Sequence, residues 1–353
     1  MKHSDTIIIG GGIIGLSLAI ELRKRGQRVL VVEKGALGRE ASWAAGGMLV
    51  GSGLETPSAL QALTQASARL YPEFVRELED ESGLKIDMRS EGTLLWDPSV
   101  DPGVRALHPL PAALSELEPG LSIPNGSPLF VKEQCVDPRD LVAGTIAAAR
   151  HRGVDFSSGD EVVEVEVSDG KAAGVRTNKT IFSGDTVVNC AGAWAGQIAP
   201  DSFPTRPVKG QMLCVIMPEK NLLRHVIRAP KVYLIPRSDG RLAIGATMEE
   251  AGFDKRTVPE TIQKLRQAAI ALVPGLAEAR ILEAWAGLRP GTPDKLPILG
   301  ATATPGYFVA TGHFRDGILL APITATVMAA LIVGEAAAHD LSAFSPGRFA
   351  RLT

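Results

Sequence analysis

TIIIGGGIIG, residues 6–15, is the stretch on which the fold turns. Residues 6–9 are a short apolar run, rich in β-branched side chains, of the kind buried on both faces of a parallel sheet. Gly10, Gly12 and Gly15 follow in G-x-G-x-x-G spacing. The first permits a tight turn, the second a close backbone approach, and the third close packing of helix on strand. Residues 13–25 then carry helical apolar spacing, with Ile14, Leu18 and Leu22 on one side, and end at Gly26 behind three basic residues. Residues 29–32 are a second apolar strand closing at Glu33. This βαβ unit sets a pyrophosphate on the helix N-terminus, where free N–H groups and the helix dipole favour negative charge. Glu33 is placed to accept hydrogen bonds from ribose hydroxyls, and its charge disfavours a 2′-phosphate.

Glycine spacing alone does not say which dinucleotide binds. No second strand–GxGxxG–helix unit follows to hold a separate nicotinamide, and no close cysteine pair suggests a flavin disulfide reductase. Both points favour FAD. Cys135, Cys190 and Cys214 are odd in number and far apart, which argues against a disulfide framework or zinc cluster and fits a reducing cytoplasm. The six histidines show neither HxxxH nor HExxH spacing, and no metal site is expected. The 353 residues, 45% hydrophobic and 22% charged, suffice for one large domain or two interleaved ones. A net charge of −2 offers no basic surface for nucleic acid or an anionic membrane. The N-terminus runs straight into the first strand without the parts of a signal peptide. Residues 317–334 are uncharged but contain Pro322, Thr324 and Thr326, so a buried helix is expected there rather than a membrane span.

Beyond the βαβ unit, helices are expected at about 59–81, 140–150 and 260–273, and strands at 162–167 and 185–189. Residues 97–128, rich in Pro, Gly and Ser, look like extended loops. MLCVI, KVYLI and RLAIG within 207–250 read as an antiparallel sheet, one face of which could cover a ligand. Strand-then-helix order returns over 307–330. The expected fold is α/β: a Rossmann-like FAD-binding domain with an inserted, mostly antiparallel β-sheet substrate domain. The boundaries assign 1–85, 140–206 and 285–353 to the first, and 86–139 and 207–284 to the second.

Further segments extend the pattern: AAGGML (44–49), VVNCAGAWAG (187–196), KVYLIPRSDGRLAIGATM (231–248), AWAGLRPGTPDKLPILG (284–300) and GHFRDGILLAP (312–322). With TIIIGGGIIG they resemble the D-amino-acid oxidase-like flavoproteins, and the last three look most like the glycine-oxidising members of that family. The resemblance implies noncovalent FAD, hydride transfer from the α-carbon of a small amino acid to the flavin, and reoxidation by molecular oxygen. Glycine leads as substrate, with thiazole synthesis for thiamine as the use of the product. It also implies a homo-oligomer, a tetramer in the family. A D-amino-acid or sarcosine oxidase, or a quinone-linked dehydrogenase, is the neighbouring reading; a non-catalytic FAD protein is the distant one.

By the same resemblance Arg289 holds the substrate carboxylate, and Tyr233 and Arg315 line its pocket, with Met48 and Met248 as narrowing side chains. A guanidinium fork suits that task because it pairs bidentately with a carboxylate. The implied FAD contacts are Gly10, Gly12, Ile13, Ile14, Gly15, Glu33, Lys34, Ala41, Ser42, Gly46, Gly47 and Met48 toward the N-terminus. Val162, Ala191, Gly192 and Trp194 follow in mid-chain, then Phe314, Arg315, Asp316, Gly317, Ile318, Leu319 and Leu320. Residues 317–320 would open a helix toward the flavin pyrimidine, where a reduced flavin carries charge. Asp316 departs from the family pattern, which has asparagine there; a carboxylate opposes an anionic flavin unless it points away or pairs with Arg315.

Overall fold

The computed structural model describes residues 3–51, 56–97, 99–122, 127–336 and 338–349. Residues 98 and 123–126, within the stretch expected as loops, therefore lie outside the described residues. The chain begins β1 (Ser4–Ile9), α1 (Ile13–Lys24), β2 (Val29–Glu33), β3 (Met48–Leu49) and α2 (Ser58–Ser82). Next come β4 (Met88–Arg89), β5 (Thr93–Leu95), the short α3 (Pro102–Ala106) and α4 (Leu114–Leu117), β6 (Leu129–Val131) and β7 (Gln134–Val136). The middle holds α5 (Pro138–His151), β8 (Asp155–Ser158), β9 (Val162–Ser168), β10 (Lys171–Thr177) and β11 (Ile181–Asn189). Then follow β12 (Arg206–Ile216), β13 (Val226–Ala229), β14 (Val232–Pro236), β15 (Arg241–Gly245), α6 (Pro259–Leu272) and β16 (Arg280–Gly291). The chain closes through β17 (Ile298–Ala301), β18 (Tyr307–Thr311) and α7 (Gly317–Ile332).

Two large sheets result. One has the order β17-β18-β11-β1-β2-β8, with the β9–β10 hairpin continuing from β11. Its central pairings, β18–β11, β11–β1, β1–β2 and β2–β8, are all parallel. This explains why residues 7–9 of β1 and 29–32 of β2 are apolar: helices cover one face, and the β9–β10 hairpin with Ala195, Ile198 and Phe203 covers the other. The other large sheet runs β16-β12-β15-β14-β13-β5-β6, antiparallel except where β5 meets β13. A small sheet, β3-β7-β4, ties Met48 to Cys135 and Met88 to Val136. The sequence boundary between 284 and 285 falls inside β16, because that strand pairs with β12 from Arg280 to Gly291.

Helix α7 is packed against α1 and α2 in the largest apolar cluster, which accounts for its lack of charge. Pro322 inside it cannot donate to the Ile318 carbonyl four residues back. Tyr71 of α2 replaces that donor, its hydroxyl 2.7 Å from the Ile318 oxygen, while Ser67 donates to the Leu319 oxygen at 2.6 Å. Among the described residues no helix is long and apolar enough to cross a membrane. Helix α5 begins at Pro138, with the Asp137 side chain accepting from the Arg139 N–H, so its cap stands three residues before Asp140.

Candidate active site

One long cleft, about 1120 Å³, runs between the two large sheets. That exceeds the roughly 300–1,000 Å³ of ordinary small-molecule pockets and suits a dinucleotide together with a small substrate. At one end stands the glycine turn. Gly10 has φ 105°, and a Cβ there would lie 2.5 Å from the Cys190 carbonyl oxygen. A Cβ on Gly15 would lie 2.2 Å from the Gly10 oxygen, so β1, α1 and β11 meet backbone to backbone. Gly12 caps α1 and lines the cleft with Ile13 and Ile14. Glu33 accepts from the Gly11 N–H and the Gly35 N–H, both at 2.8 Å. One N–H per oxygen fixes this carboxylate and leaves acceptor capacity for ribose hydroxyls.

The rest of this end is assembled from four separate segments. Ser42 accepts from the Ile13 N–H at 3.0 Å, and Ala41 lies beside it on the wall. Lys34 sits 3.2 Å above the Trp194 ring, its pKa lowered by burial, and Phe253 reaches the same ring at 5.2 Å from the loop between β15 and α6. Val162, Ala191 and Gly192 complete the wall. Gly46 and Gly47 bend the chain before β3; Gly47 has φ 83°, and a Cβ on it would strike the Val136 oxygen at 1.9 Å. Buried Arg237 clamps that bend by donating to the Gly46 oxygen at 2.7 Å and the Val136 oxygen at 3.0 Å.

Phe314, Arg315, Asp316, Gly317 and Ile318 bring the N-terminus of α7 to the middle of the cleft. Phe314 adopts φ 46°, and its N–H donates to the Pro290 oxygen at 3.0 Å, which brings Arg315 toward the end of β16 next to Arg289. Asp316 precedes the helix without capping it through its side chain. His313 is buried, with Nε2 3.1 Å from the Thr324 hydroxyl; burial pulls its pKa down to about 3, so it is neutral and structural. Three implied cofactor residues do not reach the wall. Gly15 is closed in by the Gly10 backbone, and Leu319 and Leu320 are core residues on the far side of α7's first turn.

The other end of the cleft lies on the antiparallel sheet. Tyr233 pairs with Gly245, Gly245 with Met212, and Met212 with Trp285, a row across four strands of which the first three residues line the cleft. Gly210 pairs with Gly287 in the next such row. These glycines are the floor: a Cβ on Gly245 would meet Tyr233 at 2.8 Å and Met212 at 2.9 Å. One on Gly210 would lie 2.4 Å from both terminal nitrogens of Arg289, whose guanidinium rests flat on that backbone. Arg289 Nη1 also donates to the Thr247 carbonyl at 3.1 Å. Tyr233 carries a pKa raised by burial, opposed by the adjacent Arg289, and its hydroxyl lies 3.6 Å from the Met212 sulfur. Met48 and Met248 both line the cleft, Met248 from its mouth, where it is 65% exposed. Met212 lines it as well, from a position sequence reading passed over.

Gly210, Gly245 and Gly287 also escaped sequence reading, although glycine inside a strand marks close approach of another group. So did the Trp285 Nε1 bond to the Ala44 oxygen at 3.1 Å, which seats the Ala44 methyl on Gly287. All three cysteines are buried, and burial pushes the Cys135 thiol up to about 11, so it is no nucleophile at neutral pH. Among the described residues no cluster of metal-ligating side chains occurs. The cradle whose glycines admit no Cβ, the anchored Glu33 carboxylate and the helix N-termini at Gly12 and Gly317 together fit FAD.

The sequence profile of FAD dependent oxidoreductases, abbreviated DAO, matches residues 5–331. A glycine oxidase of Pseudomonas aeruginosa is 33% identical, over 96% of this chain and 98% of its own length. The bifunctional protein ThiO/ThiG of Trichormus variabilis is 38% identical over 98% of this chain, which spans only 55% of that protein. The crystal structure of glycine oxidase from Geobacillus kaustophilus superposes with a TM-score of 0.91 at 32% identity, covering 99% of each chain.

Proposed function

The chain belongs to the FAD-dependent oxidoreductase (DAO) family, and from that footing we propose that it oxidises a small α-amino acid, glycine foremost. The Cα–H and an N–H of the neutral amine are lost, the imine formed is hydrolysed by water to glyoxylate and ammonia or passes on to thiazole synthesis, and oxygen leaves as hydrogen peroxide. Bound FAD supplies the two-electron acceptor. The chain's own part is orientation. The observation that carries the reading is a guanidinium laid flat on a glycine floor beside a buried tyrosine, at the end of a cleft that begins at a dinucleotide turn.

Arg289 takes the substrate carboxylate through a bidentate pair, and Tyr233 adds a hydrogen bond from the neighbouring strand. Fixing the carboxylate at two points sets the direction of the Cα–H bond, which is worth more than contact strength alone. Arg315, delivered beside the end of β16, adds positive charge to the same end. His313 is neutral and tied to Thr324, so proton transfer does not pass through it. The similarity to glycine oxidases and to ThiO/ThiG supports glycine as substrate, with the imine consumed in thiazole synthesis. The exposed Met248 leaves the mouth wide, which makes sarcosine or a small D-amino acid the second reading. Oxygen uptake with glycine, matched by glyoxylate and peroxide, is the expected result. Dye reduction without oxygen uptake would instead mark a dehydrogenase.

A further inference from the structure

Behind the glycine floor lies a polar network: Gln211 and Glu249 stand off the cleft wall, and Thr247 joins them to it. Gln211 of β12 is completely buried. Its backbone N–H donates to the Thr247 hydroxyl at 2.9 Å, and its side-chain amide donates to Glu249 at 2.8 Å. The Thr247 hydroxyl donates to the same Glu249 oxygen, and the Gln211 side-chain oxygen accepts from the Val258 N–H at 2.7 Å. Lys209 and Glu249 exchange two backbone hydrogen bonds of 2.9 Å, which pins the segment after β15 to β12. Thr247 is thus held through its hydroxyl from both sides. Its carbonyl points the other way and receives Arg289 Nη1.

We propose that Thr247, locked by Gln211 and Glu249, is a positioning residue that fixes the Arg289 guanidinium for carboxylate binding. Apart from its rest on Gly210 and its contact with Tyr233, Arg289 is the end of a long side chain, and any ordering left until binding would cost affinity each time. A fixed carbonyl acceptor removes that cost in advance and aims the remaining N–H groups into the cleft. The floor supplies the plane, because Gly210 lets the guanidinium lie flat, and the Thr247 carbonyl supplies the rotation within that plane. Glu249 never touches substrate; it acts through Thr247. The inference rests on the reading of Arg289 as the carboxylate anchor.

The test uses the FAD-loaded enzyme and steady-state kinetics with glycine. Thr247→Val removes the hydroxyl while keeping shape, and KM is expected to rise about tenfold with kcat within about threefold, the pattern of lost ground-state binding. Thr247→Ser, which restores the hydroxyl, is expected to recover most of that loss, and Glu249→Ala to reproduce Thr247→Val more weakly. Bound flavin and thermal stability serve as controls that a merely structural role would move instead. In an Arg289→Lys background the Thr247→Val effect is expected to disappear, because coupled residues are non-additive. The same tenfold change in both backgrounds, or a Thr247→Val enzyme with parental KM, overturns the positioning role while leaving Arg289's own role intact. An Arg289→Lys enzyme that saturates like the parent overturns both.

Discussion

Glycines build both ends of the cleft, yet they do so against different neighbours. At the nucleotide end a Cβ on Gly10 or Gly15 would run into carbonyl oxygens, at 2.5 Å and 2.2 Å. At the substrate end a Cβ on Gly210 or Gly245 would meet the tips of Arg289 and Tyr233. Backbone cannot yield without moving a strand, whereas a side-chain tip can turn aside. The first set of glycines is therefore a condition of folding and cofactor binding, and the second set a condition of substrate geometry. Rigidity is concentrated where the dinucleotide sits, and adjustable parts where substrates differ.

The sharpest way to break this contrast is Gly15→Ala. With the Gly10 oxygen in its path, the added methyl is expected to leave a chain that is insoluble or purifies without flavin, read from the ratio of flavin to protein absorbance. Overpacking against backbone costs about 1–3 kcal/mol or more, a large part of a typical domain's stability. A yellow, stable Gly15→Ala protein would show that the turn is looser than its geometry.

Arg289→Lys comes next in size. It keeps the charge but loses the fork, and KM for glycine is expected to rise by about 100-fold, equivalent to about 2.7 kcal/mol. Flavin content should stay at the parental level. Smaller again is Gly210→Ala, which tests the yielding floor directly. The methyl pushes the Arg289 guanidinium off its plane, so KM is expected to rise about tenfold while flavin content and thermal midpoint barely change. If Gly210→Ala instead lost flavin and stability as Gly15→Ala does, the two ends would not differ in kind.

The same contrast explains which parts of the molecule could be read from sequence. The nucleotide end is built largely from contiguous chain, so residues 6–33 announced strand, turn, helix and carboxylate together, and α1 and β2 lie where that reading put them. The uncharged run after Asp316 was legible as a buried helix because its hydrophobicity has no polar face. The substrate end is a property of register. Tyr233, Gly245, Met212 and Trp285 share a row only because β14, β15, β12 and β16 are paired as they are, and no local pattern states that pairing. Arg289 and Tyr233 came forward through resemblance alone, and Met212, Thr247 and the floor glycines did not come forward at all. Strand β16 was missed as an element, and a domain boundary was drawn through it, because Pro290 and its flanking glycines mask a strand whose partner lies some 75 residues back. Leu319 and Leu320 follow a cleft-lining turn in sequence, and the helix rotates their side chains into the core.

The central claim is that one cleft holds FAD at its rigid end and presents glycine to it from the adjustable end. Anaerobic mixing of the purified flavoprotein with glycine, followed by absorbance in the visible flavin band, tests it most directly. The account predicts bleaching that saturates with glycine concentration and reverses on admitting air. A protein that keeps its bound flavin but stays yellow with glycine, sarcosine and small D-amino acids alike would contradict it.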